Sequence, residues 1–279
     1  MNRVQSSVVI TGALALFTVH CPLSISYAES FLAQQAQLAW QHRDEPGQTE
    51  QAIQIWQQAI QAEPQRADLY IPLTRACGRA VRHAPNPEQH KHWADLGRKY
   101  GEQAVAGNPQ SSEAWAAYGE ALGQWAQAHK GIHSLKAVRQ AVDALKKAIE
   151  LDPKNAYAHM LLSSFYRESP GLISVGDKTK ALEQGRLAVQ WGPGFAINHL
   201  VLAKSLIEAG HKDEAAAELQ KILALSPPAD AVPETRADQD TARTMLQSMG
   251  IAPAAIVHGT STQTSTACGS PDGVCKEQP

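Results

Sequence analysis

The chain has 279 residues, 43% of them apolar but only 6% aromatic, with a formal net charge of −2. That length holds one or two ordinary domains around a sizeable core. Abundant Ala and Gln with few rings favour closely packed helices over a sheet with a bulky core. Both charge signs are mixed along the chain, and no basic stripe exists to release counterions from a phosphate backbone, which argues against a nucleic-acid-binding protein.

Residues 1–28 read as an export signal. A minimal basic start, Asn2-Arg3, precedes the uncharged apolar run Val8–Val19, which is short for a membrane-spanning helix. Ser26-Tyr27-Ala28 then places small residues at −3 and −1, predicting cleavage after Ala28. Cys21 raises the alternative of a membrane-anchored lipoprotein, but His20 stands where acylation wants a small residue. The expected location is periplasmic, in an oxidising space.

From Phe31 to Pro64 the pattern predicts a helix pair. Phe31, Leu32, Leu38, Ala39 and Trp40 supply an apolar face, Asp44-Glu45-Pro46-Gly47 breaks the helix, and Thr49 is placed to cap a second one. Ala52, Ile53, Ile55, Trp56, Ala59 and Ile60 then recur at helical spacing. Pro64, Pro109, Pro153, Pro193 and Pro227 close successive segments at spacings of 45, 44, 40 and 34 residues. Three are preceded by variants of one phrase: AIQAEP, AIELDP and ILALSP. Ala52, Ala181 and Ala215 each stand 12 residues before the closing proline, where two helices must approach closely. Trp115, Tyr118, Gly119 and Leu122 fill the W…LG…Y positions of a tetratricopeptide repeat, whose length is 34 residues. His159, Leu162, Ser163 and Tyr166, then His199, Leu202, Ala203 and Leu206, repeat the pattern; Tyr70, Leu73, Thr74 and Cys77 do so more loosely. The expected fold is all-α: a tetratricopeptide-type α-solenoid of four to five helix pairs over 29–250, with expanded inter-helix loops.

The surplus residues fall between the helices of three pairs, around Ala84–Lys91, Ala128–Ser134 and Glu168–Lys178. Insertions in a solenoid map to loops or helix extensions on one face, often the binding face. Glu234–Met249 reads as a last helix capping the open end, stopped by Gly250. Residues 251–279 turn Ser/Thr/Gly-rich and are expected to be disordered. Cys268 and Cys275 in that tail are seven apart, a disulfide candidate in an exported protein. Cys77 falls on a core-facing position.

Catalytic and metal chemistry find little support. No Ser/His/Asp arrangement, nucleophile elbow or phosphate-cradling glycine loop appears, so no enzyme and no cofactor are expected. His129 and His133 are four apart, but Gly131 lies between them without the glutamate of a metalloprotease helix, and loop histidines are the simpler reading; His83, His90 and His92 are read the same way. Gly119 and Gly123 form a G-x-x-x-G that here means close packing.

In such a repeat the first helix lines the concave surface. Repeat position 5 yields Ile71, Ala116, Met160 and Leu200, an apolar floor; position 9 yields Arg75, Glu120, Ser164 and Lys204; and Arg79 and Arg167 follow at positions 12–13. The Asn and Lys pairs of a chaperone-type carboxylate clamp are missing. Arg75, Arg79, Tyr157, Met160, Arg167, Leu200 and Lys204 are therefore the groove candidates, suited to an amphipathic helix of a partner or an amphipathic ligand with an anionic head. Ordinary solvated charges are the plainer alternative for the cationic members.

WAAYGEALGQW (Trp115–Trp125), YRESPGLISVGDKTKA (Tyr166–Ala181) and the close Ala224-Leu225-Ser226-Pro227-Pro228 resemble the T-component proteins associated with TRAP transporters. Related repeats occur in the eukaryotic regulators of microtubule dynamics. The resemblance spans roughly Phe31–Gly250 and is most specific at Pro170-Gly171-Leu172, Gly176-Asp177-Lys178 and Ala181. It implies an exported scaffold that pairs with another protein, a periplasmic solute-binding protein, and that has a ligand-lined channel. Many such proteins are lipoproteins, and His20 departs from that pattern. A direct carrier of a small apolar or amphipathic ligand is the second expectation.

Overall fold

The computed structural model describes residues 23–129, 131–171, 175–228 and 231–253, with side chains from Phe31 onward. Among these, eleven α-helices succeed one another: α1 (Leu23–Gln41), α2 (Gln48–Ala62), α3 (Tyr70–Arg82), α4 (Pro87–Gly107), α5 (Ser112–Ala128), α6 (Ile132–Leu151), α7 (Ala156–Glu168), α8 (Lys178–Trp191), α9 (Ala196–Glu208), α10 (Lys212–Ala224) and α11 (Val232–Ser248). They form five antiparallel pairs, α1/α2 to α9/α10, and one terminal helix. This is the solenoid expected from the proline spacing.

Sequence signals set the helix starts. Asn86, Ser111, Asn155 and Asp177 each accept the backbone N–H three residues on, at 2.9, 3.1, 2.9 and 3.0 Å, satisfying a donor that the first turn leaves orphaned. Thr49 does not cap α2. Gly47 holds the cap position with φ +80°, while the buried Thr49 hydroxyl donates to the Arg43 carbonyl at 3.3 Å.

The repeat phrase has a physical content. Six residues after each of three closing prolines, a ring N–H reaches that proline's carbonyl: Trp115 to Pro109 at 2.8 Å, His159 to Pro153 at 3.0 Å and His199 to Pro193 at 2.9 Å. Indole and imidazole exchange here because each offers a ring nitrogen at the same reach. Ala52, Ala181 and Ala215 are wholly buried where paired helices cross. The G-x-x-x-G of α5 serves packing: a methyl on Gly119 would lie 2.7 Å from Leu145 Cγ of α6, and one on Gly123 2.3 Å from the Phe165 ring of α7.

The core runs between the layers from Ala52, Ile53 and Trp56 through Leu73, Leu122 and Leu145 to Leu206, Leu219 and Leu246. On α1 the inward residues are Ala36 and Ala39, supported by Leu32 and Trp40; Phe31 and Leu38 are exposed, so they do not belong to the expected apolar face. Two of the three insertions are helix extensions: α4 and α6 run 21 and 20 residues, against 14 and 13 for α8 and α10. The third lies between the end of α7 and the start of α8, where the Asp177 N–H returns to the Tyr166 carbonyl at 2.8 Å.

The last helix does more than cap. Ala242 and Leu246 of α11 pack with α9 and α10, covering the end of the stack as expected. Its first turn instead reaches across the concave face to the first two pairs.

Candidate functional site

The concave side of the stack holds a cavity of about 870 Å³. Helices α3, α5, α7 and α9 form its floor, the α1–α2 turn one end and the first two turns of α11 the other. Among the described residues, none of the three insertions lines it, apart from Glu168 at the border of the third. The described lining is therefore built from helix faces and the α1–α2 turn.

Its apolar part comes from α7 and α9: Met160, Leu161, Ile197 and Val201. Of the expected floor residues only Met160 is among them. Leu200 is 3% exposed and packs into the core with Leu202 and Leu206, and Ala116 is wholly buried. A helix turns 100° per residue, so a one-position change of register moves a side chain from floor to core, and Val201 stands where Leu200 was expected.

Of the expected polar residues, Arg79, Tyr157, Arg167 and Lys204 line the cavity. Arg75 does not. It sits beside the wall with its guanidinium 5.4 Å from the Tyr157 ring and 3.9 Å from Glu113, bracing the ring from behind. Tyr157 donates its hydroxyl to Glu120 at 2.5 Å, and Glu120 also receives Arg82 at 2.8 Å. Burial pushes the Tyr157 hydroxyl well above its ordinary range, and the Glu120 carboxylate adds to this. Tyr157 is therefore a fixed neutral donor. Arg167 is turned aside by Glu168 at 2.5 Å and Glu208 at 3.4 Å, leaving its Nε buried without an acceptor among the described residues. Lys204 makes no hydrogen bond or close ion pair among the described residues; the charge that acts on its ammonium is the Asp238 carboxyl across the cavity.

Two groups on α11 escape any reading of repeat positions. Asp238 faces the cavity near Lys204; burial raises its carboxyl to about 6, the lysine opposing and Glu234 adding to the rise. Glu234 spans from α11 to the opposite end. Its carboxylate takes Arg43 Nε at 2.8 Å and Nη2 at 2.5 Å, and Arg79 Nη1 at 2.8 Å. Arg79 donates twice more to the Arg43 carbonyl, at 3.3 and 3.1 Å, and Arg43 also donates to the Trp40 carbonyl and lies over its ring. Burial acts to raise the Glu234 carboxyl, but the hydrogen bonds and charge of Arg43 outweigh it and hold the group below the usual range. No local signal links residues 43 and 234; only the curl of the solenoid does.

Cys77 is fully buried as expected, and burial pushes its thiol up to about 12. His129 is held locally, stacked on Trp125 at 4.2 Å between ring centroids and 3.3 Å from Asp95. Cys21, Cys268 and Cys275 lie outside the described residues. No described helix is long and apolar enough to cross a membrane.

A family model described as regulator of microtubule dynamics protein 1-3 matches residues 32–172, about half of the chain. No curated protein matches the sequence. Among solved structures, a thermophilic tetratricopeptide-repeat protein of Thermus thermophilus is similar at 19% identity and a TM-score of 0.58, covering 76% of this chain and 99% of that one. MamA of Desulfovibrio magneticus RS-1 aligns at 16% identity and a TM-score of 0.45, over 75% and 97% of the two chains. The first likeness shows the tetratricopeptide-type fold.

Proposed function

Starting from the premise that the chain belongs to the regulator of microtubule dynamics protein 1-3 family, we propose that it is a non-enzymatic, exported scaffold whose concave cavity receives a segment of a partner protein. The observation that carries this reading is the cavity itself. An apolar wall of Met160, Leu161, Ile197 and Val201 lies beside the ammonium of Lys204, which makes no hydrogen bond or close ion pair among the described residues and faces the Asp238 carboxyl of α11. Such a surface suits an amphipathic segment bearing an acidic group. We propose further that the partner is the solute-binding protein of a TRAP-type uptake system, on the strength of the Trp115–Trp125 and Tyr166–Ala181 similarities, and that export follows cleavage after Ala28.

The test is co-purification from the exported fraction, with Lys204→Glu as the discriminating variant. A stoichiometric protein partner, its affinity lowered roughly tenfold by the charge reversal, supports the reading. Unchanged binding by Lys204→Glu would remove the cavity from it. A mature N-terminus other than Glu29 would remove the export step.

A second reading, a carrier of a small amphipathic ligand, is favoured by one feature. The cavity is walled at both ends, by α11 and by the α1–α2 turn, and its volume of about 870 Å³ falls within the usual range for small-molecule pockets. Extractable lipid-like material on the isolated protein, with no protein partner, would establish it.

A further inference from the structure

Among the described residues, Glu234 joins the last helix by ion pairs to the first two pairs, 191 residues from Arg43 and 155 from Arg79. The arginine side chains are 3% and 10% exposed, whereas the Glu234 side chain is 36% exposed and lines the cavity. The cations are thus built into the wall, and the anion reaches them from the solvent side. Their N–H groups converge from two elements on one carboxylate, two parallel bonds from Arg43 and a third from Arg79, an arrangement matched to carboxylate geometry.

The anchoring of α11 is uneven. From Gln239 onward the helix is held: Gln239 donates to the Ile222 and Leu225 carbonyls at 3.2 and 3.0 Å, and Ala242 and Leu246 are wholly buried on α9 and α10. Ahead of Gln239 only Thr235 is buried, and Arg236 and Ala237 are exposed. The first two turns therefore lie against the cavity with little apolar burial, and among the described residues Glu234 bonds them to the far side.

We propose that Arg43 and Arg79 form a carboxylate-binding site that Glu234 occupies in cis, and that a carboxylate carried by the segment entering the cavity displaces Glu234 and releases the first half of α11. The contact is an autoinhibitory latch: the chain supplies an internal copy of its ligand's anionic group and keeps the cavity walled until a competitor arrives. The proposal rests on the reading of the cavity as a binding site, but its test needs no partner, so the two fail separately.

The test uses the mature protein with a thiol introduced by Ser164→Cys, a cavity residue, and follows its alkylation by a bulky maleimide with mass-spectrometric mapping. Glu234→Ala should raise the rate at this site roughly tenfold or more, as expected when a local opening equilibrium is freed. Asp240→Asn, an equal charge change on the exposed side of α11, should leave it unaltered. Glu234→Ala should also bind free acetate at the position of the missing carboxylate, against Arg79 and Arg43. Its melting temperature should rise by roughly 2–4 °C in acetate over chloride at equal ionic strength, and adding Arg79→Ala should abolish the rise. Glu234→Gln, which keeps shape and one acceptor, should give an intermediate labelling rate and serves if the alanine variant does not fold. An unchanged labelling rate overturns the latch, and the absence of an acetate effect overturns the carboxylate site.

Discussion

Replacing Asp238 by Asn should stabilise the protein at neutral pH and leave it unchanged near pH 4. Asp238 projects from α11 into the cavity, where burial raises its carboxyl from 3.8 to about 6. A folded-state value above the unfolded one means that the native protein binds this proton more tightly. The resulting stability is complete below the unfolded value and is lost as pH rises through about 6. The rise of about two pH units corresponds to about 3 kcal/mol at 1.36 kcal/mol each, and the partial solvent access of the side chain reduces this to about 1–2 kcal/mol. Asn keeps the shape without the charge, so Asp238→Asn should gain that amount near pH 7.5 and nothing near pH 4. Urea denaturation at the two pH values measures the difference. Equal effects at both, or destabilisation at the higher one, would refute the argument and mean that Lys204 compensates the ionised carboxylate in full. Glu234 acts in the opposite sense. Its depressed carboxyl contributes stability above the unfolded value, lost only as pH falls through the folded one, so acid should loosen the α11 contact after Asp238 has taken up its proton.

Gly119→Ala should destabilise by about 1–3 kcal/mol in urea titration, because the added methyl meets Leu145 in a filled core and outweighs the gain in helix propensity. His159→Phe should cost about 1–3 kcal/mol, leaving the Pro153 carbonyl and Gln184 without the imidazole; a loss below about 0.5 kcal/mol would show that water replaces it. Leu246→Ala should cost about 2–5 kcal/mol by opening a cavity where α11 packs on α9 and α10. Cys77 should resist alkylation at pH 8 until the protein unfolds, since its buried thiol is pushed up to about 12; native labelling at the rate of an exposed cysteine would contradict its placement.

Much of the helical stack is local chemistry, and local chemistry is written along the chain. Pro109, Pro153 and Pro193 end their segments, the ring N–H six residues later ties each new helix back to the proline carbonyl, and Ala52, Ala181 and Ala215 mark the crossings. These signals need only neighbours within one repeat, so spacing alone revealed the pairs and their order. The floor of the cavity was partly legible for the same reason: Tyr157, Met160 and Lys204 follow from repeat register. Leu200 did not, because the rotation of α9 about its axis is set by packing against α10 and α11, and a 100° step separates floor from core. What tertiary structure alone decided is the closure. Arg43 belongs by sequence to an unremarkable turn and Glu234 to an end cap, yet the accumulated curl of five pairs brings them into a two-point hydrogen-bonded ion pair, at 2.8 and 2.5 Å. That curl is a sum of small inter-repeat rotations, a property of every interface together, and no residue or motif carries it.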